Sequence, residues 1–252
     1  MKKALLIILT LCMMLSLTAC IILPVRDKAN SDNESPTEKN TIQTEASADP
    51  YKITFSSVKT YKDSIGVTWA QAIVEVENTA SHNLFLHSGD CDLEDLEGNL
   101  VASKSMSVYP QIIAPGEKAY YYDEYMLDSL PDAIELNIVP RLDIVKSTSK
   151  HIAYPVTDVS ITENAIGKLK AIGRVENTSD TKDSMIYVAI TLFNEASEPI
   201  GLVYTILSGE LAPGEKVGFE ASDWSLPEDV TADTVASYTA VAYPYQFQID
   251  LY

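Results

Sequence analysis

The pentapeptide APGEK occurs twice in this chain, at residues 114–118 and again at 212–216. The recurrence constrains the fold because it is not alone. VENTA at residues 76–80 returns as VENTS at 175–179, an offset of 99, and CDLEDLEGNLV at 91–101 aligns at the same offset with ITLFNEASEPI at 190–200. Three blocks in one order, at an almost constant offset, are two tandem copies of one unit. A period near 100 residues is a domain duplication, longer than the 20–50 residues of a solenoid repeat. The copies are expected to span residues 51–149 and 150–252.

The texture of each copy is β. Tyr51, Ile53 and Phe55 alternate with polar neighbours, and Val74 and Val76 alternate with Glu75 and Glu77. Turn signals separate such runs: Glu97-Gly98-Asn99, Pro115-Gly116, Glu198-Pro199 and Pro213-Gly214. No stretch sustains a helical period with caps. Short alternating segments between Gly, Pro and Asn turns predict an all-β fold of tandem sandwiches. In the repeated blocks, the Val of VEN faces the core and the Asn closes a turn. The Pro-Gly pair of APGEK sets a turn in which Gly takes positive φ. This is scaffold chemistry and carries no reactive group.

The N-terminus addresses location. Lys2 and Lys3 precede an apolar run over residues 4–17, too short for the ~20 apolar residues of a comfortable membrane span but of signal-peptide length. The ending Leu17-Thr18-Ala19-Cys20 resembles the lipobox of bacterial lipoproteins. The resemblance implies cleavage before Cys20, loss of the signal peptide 1–19, and a diacylglyceryl group on the Cys20 thiol. The chain would then be anchored on the extracytoplasmic face of the cell membrane. Two acyl chains, at about 0.8 kcal/mol per buried CH₂, hold where one is marginal. Cys12 would leave with the signal, and Cys91 would stand alone, so no internal disulfide is expected. Within residues 20–50, the stretch 26–49 has one isoleucine and no aromatic residue. It cannot bury enough apolar surface to offset chain entropy and reads as a flexible tether.

The duplicated blocks also carry a family resemblance. The order V-x-N, then a strand patterned F-x-L-Y-D-x-x-G-x-x-V, then a P-G-E turn into an aromatic strand, resembles the FxLYD domain family. The pattern falls on Cys91, Leu93, Glu94, Asp95, Gly98 and Val101 in the first copy. In the second it falls on Ile190, Leu192, Phe193, Asn194, Ser197 and Ile200. The first copy lacks both aromatics of the signature, and the second has Ile, Asn and Ser for Phe, Asp and Gly. The resemblance implies two small immunoglobulin-like β-sandwich domains of a kind common in bacterial, chiefly Gram-positive, surface lipoproteins. It brings no enzymatic activity.

Charge and side-chain chemistry narrow the function. With 18 basic against 36 acidic residues the net charge is -18, which repels nucleic acid and anionic headgroups. The densest acidic stretch holds Asp90, Asp92, Glu94, Asp95 and Glu97, a weak candidate for a divalent cation. An EF-hand loop would need Gly and Glu where Asp95 and Val101 stand, and strand alternation makes a solvated acidic face the plainer reading. His82, His87 and His151 lack zinc-ligand spacing. Cys91 occupies an inward position as a small hydrophobe. No nucleophile elbow, phosphate loop or dinucleotide fingerprint occurs, so no cofactor and no catalysis are expected.

Fourteen tyrosines against five phenylalanines concentrate at Tyr120, Tyr121, Tyr122 and Tyr125 and again at Tyr238, Tyr243, Tyr245 and Tyr252. Alternation sends Tyr120 and Tyr122 to one face of their strand and Tyr121 to the other. Since one face of a sandwich strand meets solvent, at least one of these tyrosines is expected to be exposed. It would serve a protein partner at the cell surface or contact the other domain. The resulting expectation is a non-catalytic surface lipoprotein serving as a binding or scaffolding module. The alternative is an accessory lipoprotein that takes a solute or a divalent cation.

Overall fold

Alternating residues between tight turns leave the backbone one way to satisfy its polar groups, which is pairing with neighbouring strands. The computed structural model describes residues 49–127, 135–165, 167–222 and 226–246, and every regular element among them is a β-strand. The first half contains β1 (Tyr51–Lys62), β2 (Thr68–Asn78), β3 (Leu84–Leu86), β4 (Gly89–Glu94), β5 (Leu100–Tyr109), β6 (Ile112–Ile113), β7 (Lys118–Leu127), β8 (Asn137–Arg141) and β9 (Ile144–Lys146). The second contains β10 (Val156–Glu163), β11 (Leu169–Glu176), β12 (Ile186–Phe193), β13 (Pro199–Leu207), β14 (Lys216–Ser222) and β15 (Ser237–Pro244). The protein is all-β, built of antiparallel sheets packed face to face.

The sheets run β1-β2-β7-β5-β4-β8 and β6-β3-β9 in the first half, and β10-β11-β14 and β13-β12-β15 in the second. The order β1-β2-β7 is repeated by β10-β11-β14, and β5-β4-β8 by β13-β12-β15. Register is repeated too. Val76 lies opposite Ala119 as Val175 lies opposite Val217, and Leu93 opposite Ala102 as Leu192 opposite Gly201. The halves differ at β5, which continues past its pairing with β4 so that Ser107, Val108 and Tyr109 pair with β7. That continuation joins the two groups of three into one six-stranded sheet.

The two repeated motifs turn out to be one device. In the first half the Asn78 amide donates to the carbonyls of His82 (2.9 Å) and Ile113 (3.0 Å), while its side-chain oxygen accepts from the Ala80 N–H. In the second half Asn177 donates to Thr181 and Leu211, both at 2.8 Å, and accepts from Ser179. The Asn backbone then grips the APGEK turn. Gly116 N–H donates to the Asn78 carbonyl (2.9 Å) and Asn78 N–H to that of Glu117 (3.0 Å); Gly214 and Glu215 repeat this with Asn177 at 2.7 and 3.0 Å. Positive φ at Gly116 (80°) and Gly214 (76°) permits the grip, as residues with a Cβ rarely adopt it. Glu117 and Glu215 close each turn by accepting from the N–H of Ala114 and Ala212.

Each half has its own core. Ala70, Val74, Leu84, Leu93, Met106, Ile113, Tyr121 and Tyr125 are among the residues filling the first. Leu169, Val175, Ile190, Leu192, Phe219 and Ala242 are among those filling the second. A third apolar cluster belongs to both: Ile73, Tyr109, Tyr120 and Tyr122 of the first half meet Ala189, Phe193, Leu202 and Tyr243 of the second. Residues 47–252 accordingly form one compact unit.

Candidate functional site: the seam between the halves

Strand alternation places Gln71, Ile73 and Glu75 on the outer face of β2, with Tyr120 and Tyr122 beside them on β7. Opposite lie Ala189, Thr191 and Phe193 of β12 with Val241 and Tyr243 of β15. The Tyr120 and Phe193 rings meet edge to face at 6.1 Å, and Tyr109 packs on Tyr204 at 5.2 Å. Tyr187 stacks between Tyr243 and Tyr245 at 5.7 and 5.5 Å. A Lys59–Asp229 ion pair crosses the seam at its exposed edge.

This packing corrects the expectation of an exposed tyrosine on β7. Tyr120, Tyr121, Tyr122 and Tyr125 are 7%, 0%, 5% and 3% exposed. Tyr121 and Tyr125 enter the first core, and the β13-β12-β15 sheet covers Tyr120 and Tyr122. The four aromatics are therefore internal and present no free surface to a partner.

The polar groups beside Tyr120 and Tyr122 are paired. Glu75 is buried, yet it accepts from Thr54 Oγ1 (2.5 Å) and Lys118 Nζ (2.6 Å). Burial alone would raise its pKa, but the hydrogen bonds from Lys118, Thr54 and Tyr120 outweigh that and hold the carboxyl below its ordinary range. Gln71 Nε2 donates to the Tyr122 hydroxyl (3.3 Å), which donates to Glu124 (2.8 Å). Burial raises the pKa of the Tyr109, Tyr120 and Tyr243 phenols.

The halves do not close completely. A cavity of about 310 Å³ lies in the seam, lined by residues that include Tyr109, Tyr120, Tyr243, Thr191, Val241 and Ala153. Glu117 and His151 also line it, as a pair with Oε2 and Nε2 2.9 Å apart. Beyond Tyr120, Lys118 and Thr239 a more open hollow of about 420 Å³ continues past Phe55, Phe193 and Glu198. Past Ile112, Ile152 and Tyr243, a void of about 10 Å³ adjoins Gln111 and Gln246, whose buried side-chain oxygens have no hydrogen-bond partner among the described residues.

The acidic stretch is distributed otherwise. Asp92 is buried and forms a two-bond ion pair with Arg141; hydrogen bonds from Ser103 and then Arg141 hold its carboxyl below the ordinary range. Asp95 accepts from the N–H groups of Glu97 and Asn99 and from the Asn99 amide, so its carboxylate is spent within its own turn. Asp90 and Glu97 are exposed and Glu94 half-buried. Among the described residues, no group of three or more His, Cys, Asp or Glu is placed to hold a metal. Cys91 is fully buried, and burial pushes its thiol pKa up. Cys20 lies outside the described residues.

The differences between the two copies account for the seam. On β4 the outward positions carry Asp90, Asp92 and Glu94; their counterparts 99 residues on are Ala189, Thr191 and Phe193 of β12. Arg141 on β8 corresponds to Val241 on β15. Conversely, Gln71, Ile73, Glu75, Tyr120 and Tyr122 of the covered face correspond to Lys170, Ile172, Arg174, Gly218 and Glu220. Ile172, Arg174, Gly218 and Glu220 are exposed. Each half thus turns one outer face to its neighbour, and its other outer face carries charged residues in place of the covered ones. No protein-family model matches this sequence, and no curated protein matches it.

Proposed function

We propose that this chain is a non-catalytic, extracytoplasmic lipoprotein, anchored through Cys20, that binds a small solute in the seam between two FxLYD-like, immunoglobulin-like domains. The observation that carries the reading is the seam cavity. Its volume of about 310 Å³ lies at the low end of ligand-site volumes, and its lining is mostly apolar with a few convergent polar groups. Such sites occur preferentially where two domains meet. The lipobox-like ending at Cys20 and the polar stretch 26–49 that follows it support the anchored setting. The solute version gains over the cation version because Asp92 and Asp95 are already engaged by Arg141 and by their own turn.

Native mass spectrometry of the protein extracted from its own envelope tests the reading. A small-molecule adduct is expected, and Ala153→Trp, which fills the cavity from an exposed lining position, should remove it. No adduct, or an adduct indifferent to the tryptophan, contradicts the proposal. Cys20→Ala should release the protein from the membrane fraction; unchanged retention contradicts the anchor.

A further inference from the structure

The seam cavity carries charged side chains, and each of them is already engaged. Glu117, Lys118 and His151 are the acidic and basic residues of its wall. Lys118 Nζ lies 2.6 Å from the buried Glu75 carboxylate. Glu117 Oε2 lies 2.9 Å from His151 Nε2 and accepts from the Ala114 N–H, also at 2.9 Å. A charged ligand would have to displace one of these partners or leave water without a counter-charge, and either is costly. The rest of the wall is neutral. Tyr109, Tyr120 and Tyr243 line it, and burial raises the pKa of each phenol, so all three stay protonated. Ile112, Ile152 and Val241 add apolar surface. Thr191 lines the cavity from β12, is only 4% exposed, and its hydroxyl has no hydrogen-bond partner among the described residues.

From this we infer that the seam takes an uncharged organic molecule: a compact aromatic or alicyclic body among Tyr109, Tyr120 and Tyr243, with one hydroxyl or carbonyl group directed at Thr191. Each part of such a ligand answers a feature of the wall. The cavity of about 310 Å³ has the space of about ten waters at ~30 Å³ each, so a body of roughly ten non-hydrogen atoms fills it. An aromatic body meets the tyrosine rings offset or edge to face. It also displaces water from Ile112, Ile152 and Val241. A threonine hydroxyl both donates and accepts, so it pairs with a ligand hydroxyl or carbonyl alike. This inference rests on the seam being a binding site and adds the ligand's charge and its polar anchor.

Calorimetry on the full chain at pH 7, with three probes of similar body, separates the two levels. The probes are 2-phenylethanol, phenethylamine and phenylacetate: neutral, cationic and anionic. The alcohol should bind about tenfold or more tightly than either charged probe. Thr191→Val keeps the side chain's shape and removes only the hydroxyl, and it should weaken the alcohol by about three- to tenfold. A charged probe that binds as tightly as the alcohol, or alcohol binding unchanged by Thr191→Val, would overturn the inference while leaving the seam as a site. Binding of none of the three would overturn the inference as well, and the seam with it if the protein from its own envelope also lacks an adduct. Binding undisturbed by Ala153→Trp would overturn both.

Discussion

Removing either clasp asparagine should destabilise the protein by a similar amount, because the two make nearly the same bonds. Asn177 is fully buried. Its amide makes two bonds of 2.8 Å to Thr181 and Leu211, and its oxygen accepts from the Ser179 N–H at 2.9 Å and hydroxyl at 2.8 Å. Asn78 makes two bonds through its amide and one through its oxygen. At about 1 kcal/mol net per hydrogen bond, with more where a buried group is left unpaired, Asn78→Ala and Asn177→Ala should each cost about 3 kcal/mol. That corresponds to a fall in Tm of roughly 6–12 °C for a folded region of this size. Asn194→Ala removes side-chain bonds from an exposed turn and should stay within about 0.5 kcal/mol. Urea unfolding followed by circular dichroism measures all three under one condition. A cost below about 1 kcal/mol for either clasp variant would refute the view that the repeated blocks are kept for this contact.

Two further outcomes follow from the buried ionisable groups. The Glu75 pKa is depressed in the folded state, so its contribution is complete above the ordinary carboxylate range and is lost as pH falls through the lower, folded value. Glu75→Gln should thus be less stable than the parent at neutral pH and approach it as pH falls below about 4; a stability gap that does not change with pH would contradict the pairing. Cys91 is fully buried with a raised thiol pKa, so peptide mapping after iodoacetamide treatment should find it unlabelled in the native protein and labelled in urea. Rapid native labelling would mean that the first core opens readily.

Much of the scaffold is legible in the sequence. Alternation around Val74 and Val76 and the Pro-Gly turns mark strands and connections, and the offset of 99 announces two copies with shared register. The tyrosine face was only half legible. Alternation tells which side of β7 Tyr120 and Tyr122 point to; it does not tell what covers that side. A strand reading of Glu75 likewise places it opposite Val74 and Val76, facing water, whereas the second half buries it against Lys118 and Tyr120. The signal that could have found the seam is the exchange of character between copies, Asp92 for Thr191, Arg141 for Val241, Tyr122 for Glu220. One copy's charged face is the other's apolar face. The clasp is not legible for a different reason: VEN and APGEK lie some 35 residues apart in each copy, and only the pairing of β2 with β7, and of β11 with β14, brings them together.

The measurement that bears most directly on the account is a double-mutant cycle across the seam. Tyr120 and Phe193 meet edge to face at 6.1 Å, a geometry worth about 0.5–1.5 kcal/mol beyond area burial. Tyr120→Ala, Phe193→Ala and the double variant should therefore show a coupling near 1 kcal/mol. Additivity within about 0.3 kcal/mol would mean that the halves do not pack through these rings, and the seam with its cavity would fall with them.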